Sequence, residues 1–295
     1  MSTIHLNITQ KCNQKCFFCV RSQAPVAEPT LSQIMEYAQA QKRIGADSCI
    51  ITGGEPFTQS YIFDLLTQLK QLGFGRITIQ TNGLLLSEEK ICQRLLFSTV
   101  GVKCDISISL HSIHEKILYK ITNVKNSLCR LIGALENLQK YGIPFCTNTV
   151  IFRDNIGELS DIARTSYRLG AYLTQFSLMR YTLLNLKKYA VGLEEVKEAA
   201  KNLAKELPMS QLRFEGIPFC LLRGMERCVA EAYWPKNLKL LTITGKQIND
   251  YKTDLLPQYR AKLPSCMNCM MNEICMGVWE EYFSELEQIS PKPIC

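Results

Sequence analysis

Lys11-Cys12-Asn13-Gln14-Lys15-Cys16-Phe17-Phe18-Cys19 sets three cysteines within eight residues, directly after an alternating apolar stretch. A loop this short can turn three thiols toward one point. Iron–sulfur clusters are held by cysteine thiolates and normally take four. The next cysteine, Cys49, lies too far along the chain to join the loop, so one iron is expected to stay open. Zinc ribbons bring cysteines as C-x2-C pairs with a second pair downstream, and redox dithiols as a lone C-x-x-C. Here a C-x3-C precedes the C-x2-C, which is neither pattern.

The 295 residues suffice for one large domain and a smaller one, and 46% hydrophobic content supports a substantial core. No apolar run approaches a membrane span, and residues 1–10 lack the basic start and apolar stretch of a signal peptide. A cytoplasmic protein with no membrane partner is expected. Fourteen cysteines in such a chain point to reduced thiols and metal ligation rather than disulfides. The net charge of +7 comes from scattered Lys and Arg, which argues against nucleic acid and favours docking of an acidic electron donor.

From Thr3 to Thr9 the residues Ile4, Leu6 and Ile8 alternate with His5 and Asn7, the period of a strand. His5 is read as a barrel-lining or satisfied core residue. Thr30 and Gln33 form a capping box for a first helix that Gly45 closes. The strand Ser48–Thr52 then runs into Gly53-Gly54-Glu55-Pro56, and a second helix ends at Gly73. The alternation continues with strands Arg76–Gln80, Lys103–Leu110, Pro144–Phe152 and Tyr172–Met179, and helices Ser87–Phe97, Ser127–Tyr141 and Ile156–Leu169. Helices between successive strands force parallel pairing and gather ligands at the C-terminal strand ends. The expected fold is α/β, a partial (β/α)6 TIM-like barrel over residues 1–208. His111, just past strand four, falls at the active-site end or orders the loop there.

The loop Cys12, Cys16, Phe18, Cys19 resembles the C-x3-C-x-aromatic-C signature of radical S-adenosylmethionine (radical SAM) enzymes. The resemblance implies a [4Fe-4S] cluster on Cys12, Cys16 and Cys19 whose open iron is chelated by SAM. It also implies that one electron from the cluster splits SAM into methionine and a 5′-deoxyadenosyl radical. Gly53, Gly54 and Glu55 resemble the family's GGEP motif, whose backbone and carboxylate hold the amino group of SAM. Further SAM contacts are implied at Thr81 and Asn82, at Ser107 and Ser109, at Asn148, and at Met179. Strand parity puts Cys146 on the face of Asn148, one layer deeper, either as a hydrogen-atom donor to a substrate radical or as a small buried hydrophobe.

After a loop Tyr181–Tyr189 and a helix Leu193–Leu207, the composition changes, and residues 209–295 are expected to form a small α+β domain. Its strand Leu212–Ile217 and a hairpin over Leu238–Ile243 and Gln247–Tyr251 precede Cys266-x2-Cys269-x5-Cys275 and an aromatic helix with Trp279, Tyr282 and Phe283. This segment resembles the SPASM/twitch extension that holds auxiliary [4Fe-4S] clusters. The cysteines beyond Met209 are Cys220, Cys228, Cys266, Cys269, Cys275 and Cys295, short of the eight that two clusters need. One auxiliary cluster on Cys266, Cys269, Cys275 and Cys220, chosen over Cys228, is expected; four thiolates would also suit a structural zinc.

The resemblance leaves two enzymatic readings. In the first, the substrate is a ribosomally made precursor peptide that is epimerised, cross-linked, given a thioether or has part of a residue excised. In the second, it is a small molecule such as a sugar or aminocyclitol, or the substrate of a cyclase resembling the molybdopterin-precursor synthase. An iron–sulfur scaffold or electron carrier would not need the Gly53–Pro56 turn in register with the cysteine loop. With the first strand starting near Thr3, no further domain is available to grip a leader peptide, so a separate leader-recognition protein is expected. A flavodoxin- or ferredoxin-type electron donor completes the expected partners.

Overall fold

The first strand, β1 (Ser2–Asn7), buries Ile4 and Leu6 completely and continues through the equally buried Ile8 into the cysteine loop. The structure, a computed structural model, describes residues 2–19, 27–181 and 186–294. Residues 182–185 of the expected loop Tyr181–Tyr189, and Cys295, lie outside the described residues. Among the described residues no helix is long and apolar enough to cross a membrane.

Helix α1 (Leu31–Arg43) opens with the expected capping box: the Gln33 N–H donates to Thr30 Oγ1 at 3.3 Å, and the Thr30 N–H donates to Gln33 Oε1 at 2.9 Å. Then follow β2 (Ala46–Thr52), α2 (Ile62–Gln71), β3 (Arg76–Thr81), α3 (Glu89–Thr99) and β4 (Lys103–Ser109). Leu65, Leu66 and Leu69 of α2 are fully buried against the sheet, each worth about 1.5–3 kcal/mol. A helix absent from the expected set, α4 (Glu115–Thr122), precedes α5 (Ser127–Lys140). The barrel units finish with β5 (Phe145–Ile151), α6 (Leu159–Arg168), β6 (Leu173–Leu178) and α7 (Leu193–Glu206).

The strands β1 to β6 pair in parallel in sequence order, as a (β/α)6 barrel requires. The C-terminal part departs from expectation. Strand β7 (Leu212–Glu215) adds in parallel to β6, and β8 (Asn237–Leu241) adds in parallel to β1, with β9 (Gln247–Ile248) antiparallel to β8. A single nine-stranded sheet results, so the expected boundary after residue 208 does not separate two sheets. Outside it stand the pair β10 (Arg260–Ala261) and β11 (Val278–Trp279), the cysteine segment between them, and α8 (Phe283–Ile289). Trp279 is therefore a strand residue, not part of the expected aromatic helix. One hydrophobic core runs through both parts, joining Phe176 and Phe214 of the sheet to Phe219, Val278 and Tyr282.

Candidate active site

The segment between β1 and the cysteine loop is stitched to the turn after β2. Gly54 N–H donates to the Thr9 carbonyl at 2.5 Å and Glu55 N–H to the Lys11 carbonyl at 2.8 Å. Glycine is needed at position 53 because a Cβ there would stand 2.5 Å from the Thr9 oxygen and 2.9 Å from its nitrogen. The two motifs that the sequence places one βα unit apart are thus in direct backbone contact.

The Glu55 side chain is held from within the fold. It is fully buried and does not line the cavity described below. Its carboxylate accepts from Thr81 Oγ1 at 2.8 Å, from Asn82 N at 2.7 Å and from Phe57 N at 3.0 Å. These three donors lie under the carboxylate and fix its position beside the two glycines. Burial pushes this carboxyl up to about 7, against the three hydrogen bonds, which pull it down. Asn82, held by this network, donates from Nδ2 to Asn13 Oδ1 at 2.7 Å and reaches Cys12 Sγ at 3.8 Å.

Helix α4 supports the other side of the loop. Lys15 N–H donates to the Thr122 carbonyl at 2.9 Å and Phe17 N–H to that of Ile121 at 3.1 Å, using carbonyls the helix end leaves unpaired. Phe17 packs on Phe152 and Tyr189, with ring centroids 5.5 and 4.6 Å away. Phe18 meets His111 edge-on at 5.0 Å. His111 is buried, accepts from Val150 N at Nδ1 (3.2 Å), and is pushed down to about 4 by burial, so it stays neutral.

Cys12, Cys16 and Cys19 line one cavity of about 570 Å³, within the range of small-molecule sites. Of the residues expected to hold SAM, Gly53, Gly54, Thr81, Asn82, Ser107, Ser109 and Asn148 line it, and so does Cys146. Met179 does not. It falls one residue past the end of β6, where strand parity no longer applies, and buries its side chain with Ile121 and Phe152 beneath the cysteine loop. The donor set fits a cluster held by three protein thiolates, and the two glycines leave room beside it for a ligand to approach the backbone.

The sequence reading missed the far wall of this cavity. Gln175 on β6 and Glu215 on β7 line it, as do Trp234 and Tyr251. Glu215 Oε2 accepts from both Gln175 Nε2 and Ser177 Oγ at 2.8 Å, and Ser177 Oγ also stands 2.9 Å from Asn148 Oδ1. Period two within β6 links Gln175 to Ser177, but only the pairing of β7 with β6 brings in Glu215. His5 lines the floor; burial pushes it down to about 4, and its Nε2 has no partner among the described residues.

A second cavity brings Cys220, Cys266, Cys269 and Cys275 together. Burial, and then the nearby Cys275, Cys266 and Cys269, push the Cys220 thiol up to about 12. Cys228 is absent from this cavity; it is buried, with its sulfur 3.5 Å from the Met209 carbonyl. Gly277 follows the last cysteine at a point where a Cβ would run into the Ala261 carbonyl, so the cysteine segment can lie directly on β10. Among the described residues no three His, Cys, Asp or Glu side chains close to the spacing of a single metal ion. In a four-iron cluster each thiolate binds a different iron, which spreads the sulfurs further apart.

A family model for the Radical SAM superfamily matches residues 6–165. Among relatives, a protein of Sulfurisphaera tokodaii described as a probable GTP 3′,8-cyclase is 27% identical over 207 residues, covering 69% of this chain and 63% of that one. A likewise described protein of Saccharolobus islandicus is 30% identical over 173 residues, covering 58% of this chain and 54% of that one. The chain therefore spans less than two thirds of the length of these relatives. Among solved structures, Streptococcus suis SuiB bound to precursor peptide SuiA superposes with a TM-score of 0.72 at 17% identity, over 99% of this chain and 73% of that one. The structure of anSMEcpe with bound AdoMet and Cp18Cys peptide gives 0.65 at 14% identity, over 97% and 95%. Likeness at this identity is one of fold.

Proposed function

This chain belongs to the radical SAM superfamily, and from that premise we propose that it is an enzyme that abstracts a hydrogen atom from a ribosomally made precursor peptide. Cys12, Cys16 and Cys19 hold a [4Fe-4S] cluster, and SAM binds against the backbone of Gly53 and Gly54 with Thr81, Asn82, Ser107, Ser109 and Asn148 around it. When bound, the cluster and SAM supply a radical strong enough to remove hydrogen from an unreactive carbon. The protein's own part is to orient and to shield. Phe17, Phe18 and Phe152 form an apolar layer that packs against Cys16 on one side of the loop. Burial raises the Cys146 thiol, so it remains an S–H, the form a hydrogen-atom donor requires.

The observation that carries the peptide reading is the charge of the cavity. Among the described residues lining it stands one carboxylate, Glu215, and no Lys or Arg. A nucleoside triphosphate would need cationic partners for its phosphates, as Arg and Lys provide elsewhere. The bound peptides of SuiB and anSMEcpe support the same direction. The likeness to the cyclase-described relatives favours nucleotide cyclisation as the second reading.

Cys220, Cys266, Cys269 and Cys275 hold one auxiliary [4Fe-4S] cluster in this proposal. A separate protein presents the peptide's leader, and a flavodoxin- or ferredoxin-type protein of the cytosol supplies electrons. Anaerobically reconstituted protein with dithionite and SAM should release 5′-deoxyadenosine, and replacing Cys12, Cys16 and Cys19 by Ala should abolish it. Co-expression with the small open reading frames adjoining the gene, followed by mass spectrometry, should reveal a changed peptide. Turnover of GTP or a sugar with every peptide unchanged would replace the peptide reading with the small-molecule one.

A further inference from the structure

The nine-stranded sheet is open, and both of its flanks reach the cavity: Glu215 lies on β7, while Trp234, Leu238 and Tyr251 come from the segment around β8. Glu215 uses Oε2 for both Gln175 and Ser177, which leaves Oε1 with no hydrogen-bond partner among the described residues. It has no ion-pair partner there either. The nearby guanidiniums are engaged elsewhere: Arg260 binds Glu231 at 2.9 Å and lies 3.6 Å over the Trp279 ring. Arg180 lies between Tyr259 and Trp279, at 4.4 and 4.8 Å from their rings. Neither arginine lines the cavity.

Beside this carboxylate stand two aromatic rings. Trp234 and Tyr251 are 6.1 Å apart at the centroids and tilted by 54°, and Tyr251 is close enough that Glu215 adds to burial in raising its hydroxyl's titration. A carboxylate fixed by two donors, with a free oxygen and aromatic rings next to it, is a receptor for an organic cation. The carboxylate supplies a charge-assisted hydrogen bond and the rings supply cation–π attraction. An anion or a neutral group would leave the Glu215 charge in the cavity uncompensated.

We propose that the substrate carries a primary ammonium or guanidinium group, a lysine or arginine side chain, that docks on Glu215 beside Trp234 and Tyr251. This rests on the peptide reading above and specifies which residue of the peptide enters.

The probes are Nα-acetyl-lysine methylamide and its apolar isostere Nα-acetyl-norleucine methylamide, titrated calorimetrically into anaerobically reconstituted protein with SAM present. The lysine amide should bind at least about tenfold more tightly than the norleucine amide. Glu215→Gln should erase that preference while iron content, melting temperature and SAM affinity stay unchanged. Equal affinity of the two amides for the unaltered protein, no binding of either, or an undiminished preference in a folded Glu215→Gln variant would each overturn the proposal. The comparison of amides on unaltered protein stands even if the variant fails to fold. Failure of SAM cleavage would strike the enzymatic reading instead, and is scored separately from amide binding.

Discussion

The Asn82 backbone N–H donates to the Glu55 carboxylate at 2.7 Å, and through this bond the turn after β2 and the turn after β3 form one support under the cysteine loop. Asn82 then carries the support to Asn13 and Cys12 through its side chain.

Glu55→Gln should destabilise the protein by about 1–3 kcal/mol, because the amide sets an N–H against one of three donors that now meet oxygen. A pH signature accompanies it. The folded carboxyl, at about 7, holds its proton more tightly than at its ordinary 4.5, so its favourable contribution is present below 4.5 and is lost as pH rises through about 7. Denaturant titrations from about pH 5.5 to about pH 8 should show stability contributed by this group falling with pH in the native protein and not in the variant.

Gly53→Ala forces a methyl group against the Thr9 backbone. A loss of at least about 2 kcal/mol is expected. Gly157→Ala is the control, since nothing lies within 4 Å of a Cβ there and its φ is ordinary. Thermal denaturation of both should separate a local clash from a general cost of replacing glycine. Iron content after reconstitution should drop in Gly53→Ala alone.

The two cysteine sets should load independently. Protein with Cys12, Cys16 and Cys19 replaced by Ala is expected to retain about four irons per chain on Cys220, Cys266, Cys269 and Cys275. Cys220→Ser should reduce that retained iron, and Cys228→Ser should not, since Cys228 lies outside the second cavity. Metal analysis decides it, and zinc in place of iron in the triple variant would make this site structural.

Arg260 and Glu231 form an ion pair with 3% of each side chain exposed, yet Arg260 Nε and Glu231 Oε2 find no partners among the described residues. Arg260→Met should cost about 3–5 kcal/mol by stranding the carboxylate. The double variant Arg260→Met with Glu231→Leu should recover most of that loss in chemical denaturation, since apolar packing replaces an incompletely satisfied pair.

The sequence exposes what is encoded over short distances. The spacing of Cys12, Cys16 and Cys19, the Gly53-Gly54 turn, and the capping box at Thr30 depend on neighbours within a few residues, and each is found where expected. Cys220, past the end of β7, joins the three later cysteines in one cavity, as expected. Pairings over longer separations stayed hidden. The hydrogen bonds from Thr81 and Asn82 to Glu55 span too many residues for a local pattern to show them. Met179 reads as a site residue until the end of β6 is known to fall at Leu178. Helix α4 is short, and its function is to offer carbonyls to Lys15 and Phe17, which no local pattern announces. Glu215 enters the cavity only because β7 pairs with β6.

The attachment of β7 to one edge of the barrel and β8 to the other has a mechanical consequence. A chain nicked after Pro208 would yield two fragments, and the second would hold the first by two separate strand ladders, Thr174–Ser177 with Leu212–Glu215 and Ser2–Leu6 with Asn237–Leu241. Such fragments should copurify and complement one another like the halves of a split reporter. The C-terminal segment works as a brace across the mouth of the barrel, so exchanging it between relatives would reset the width of that mouth and leave the thiol loop untouched.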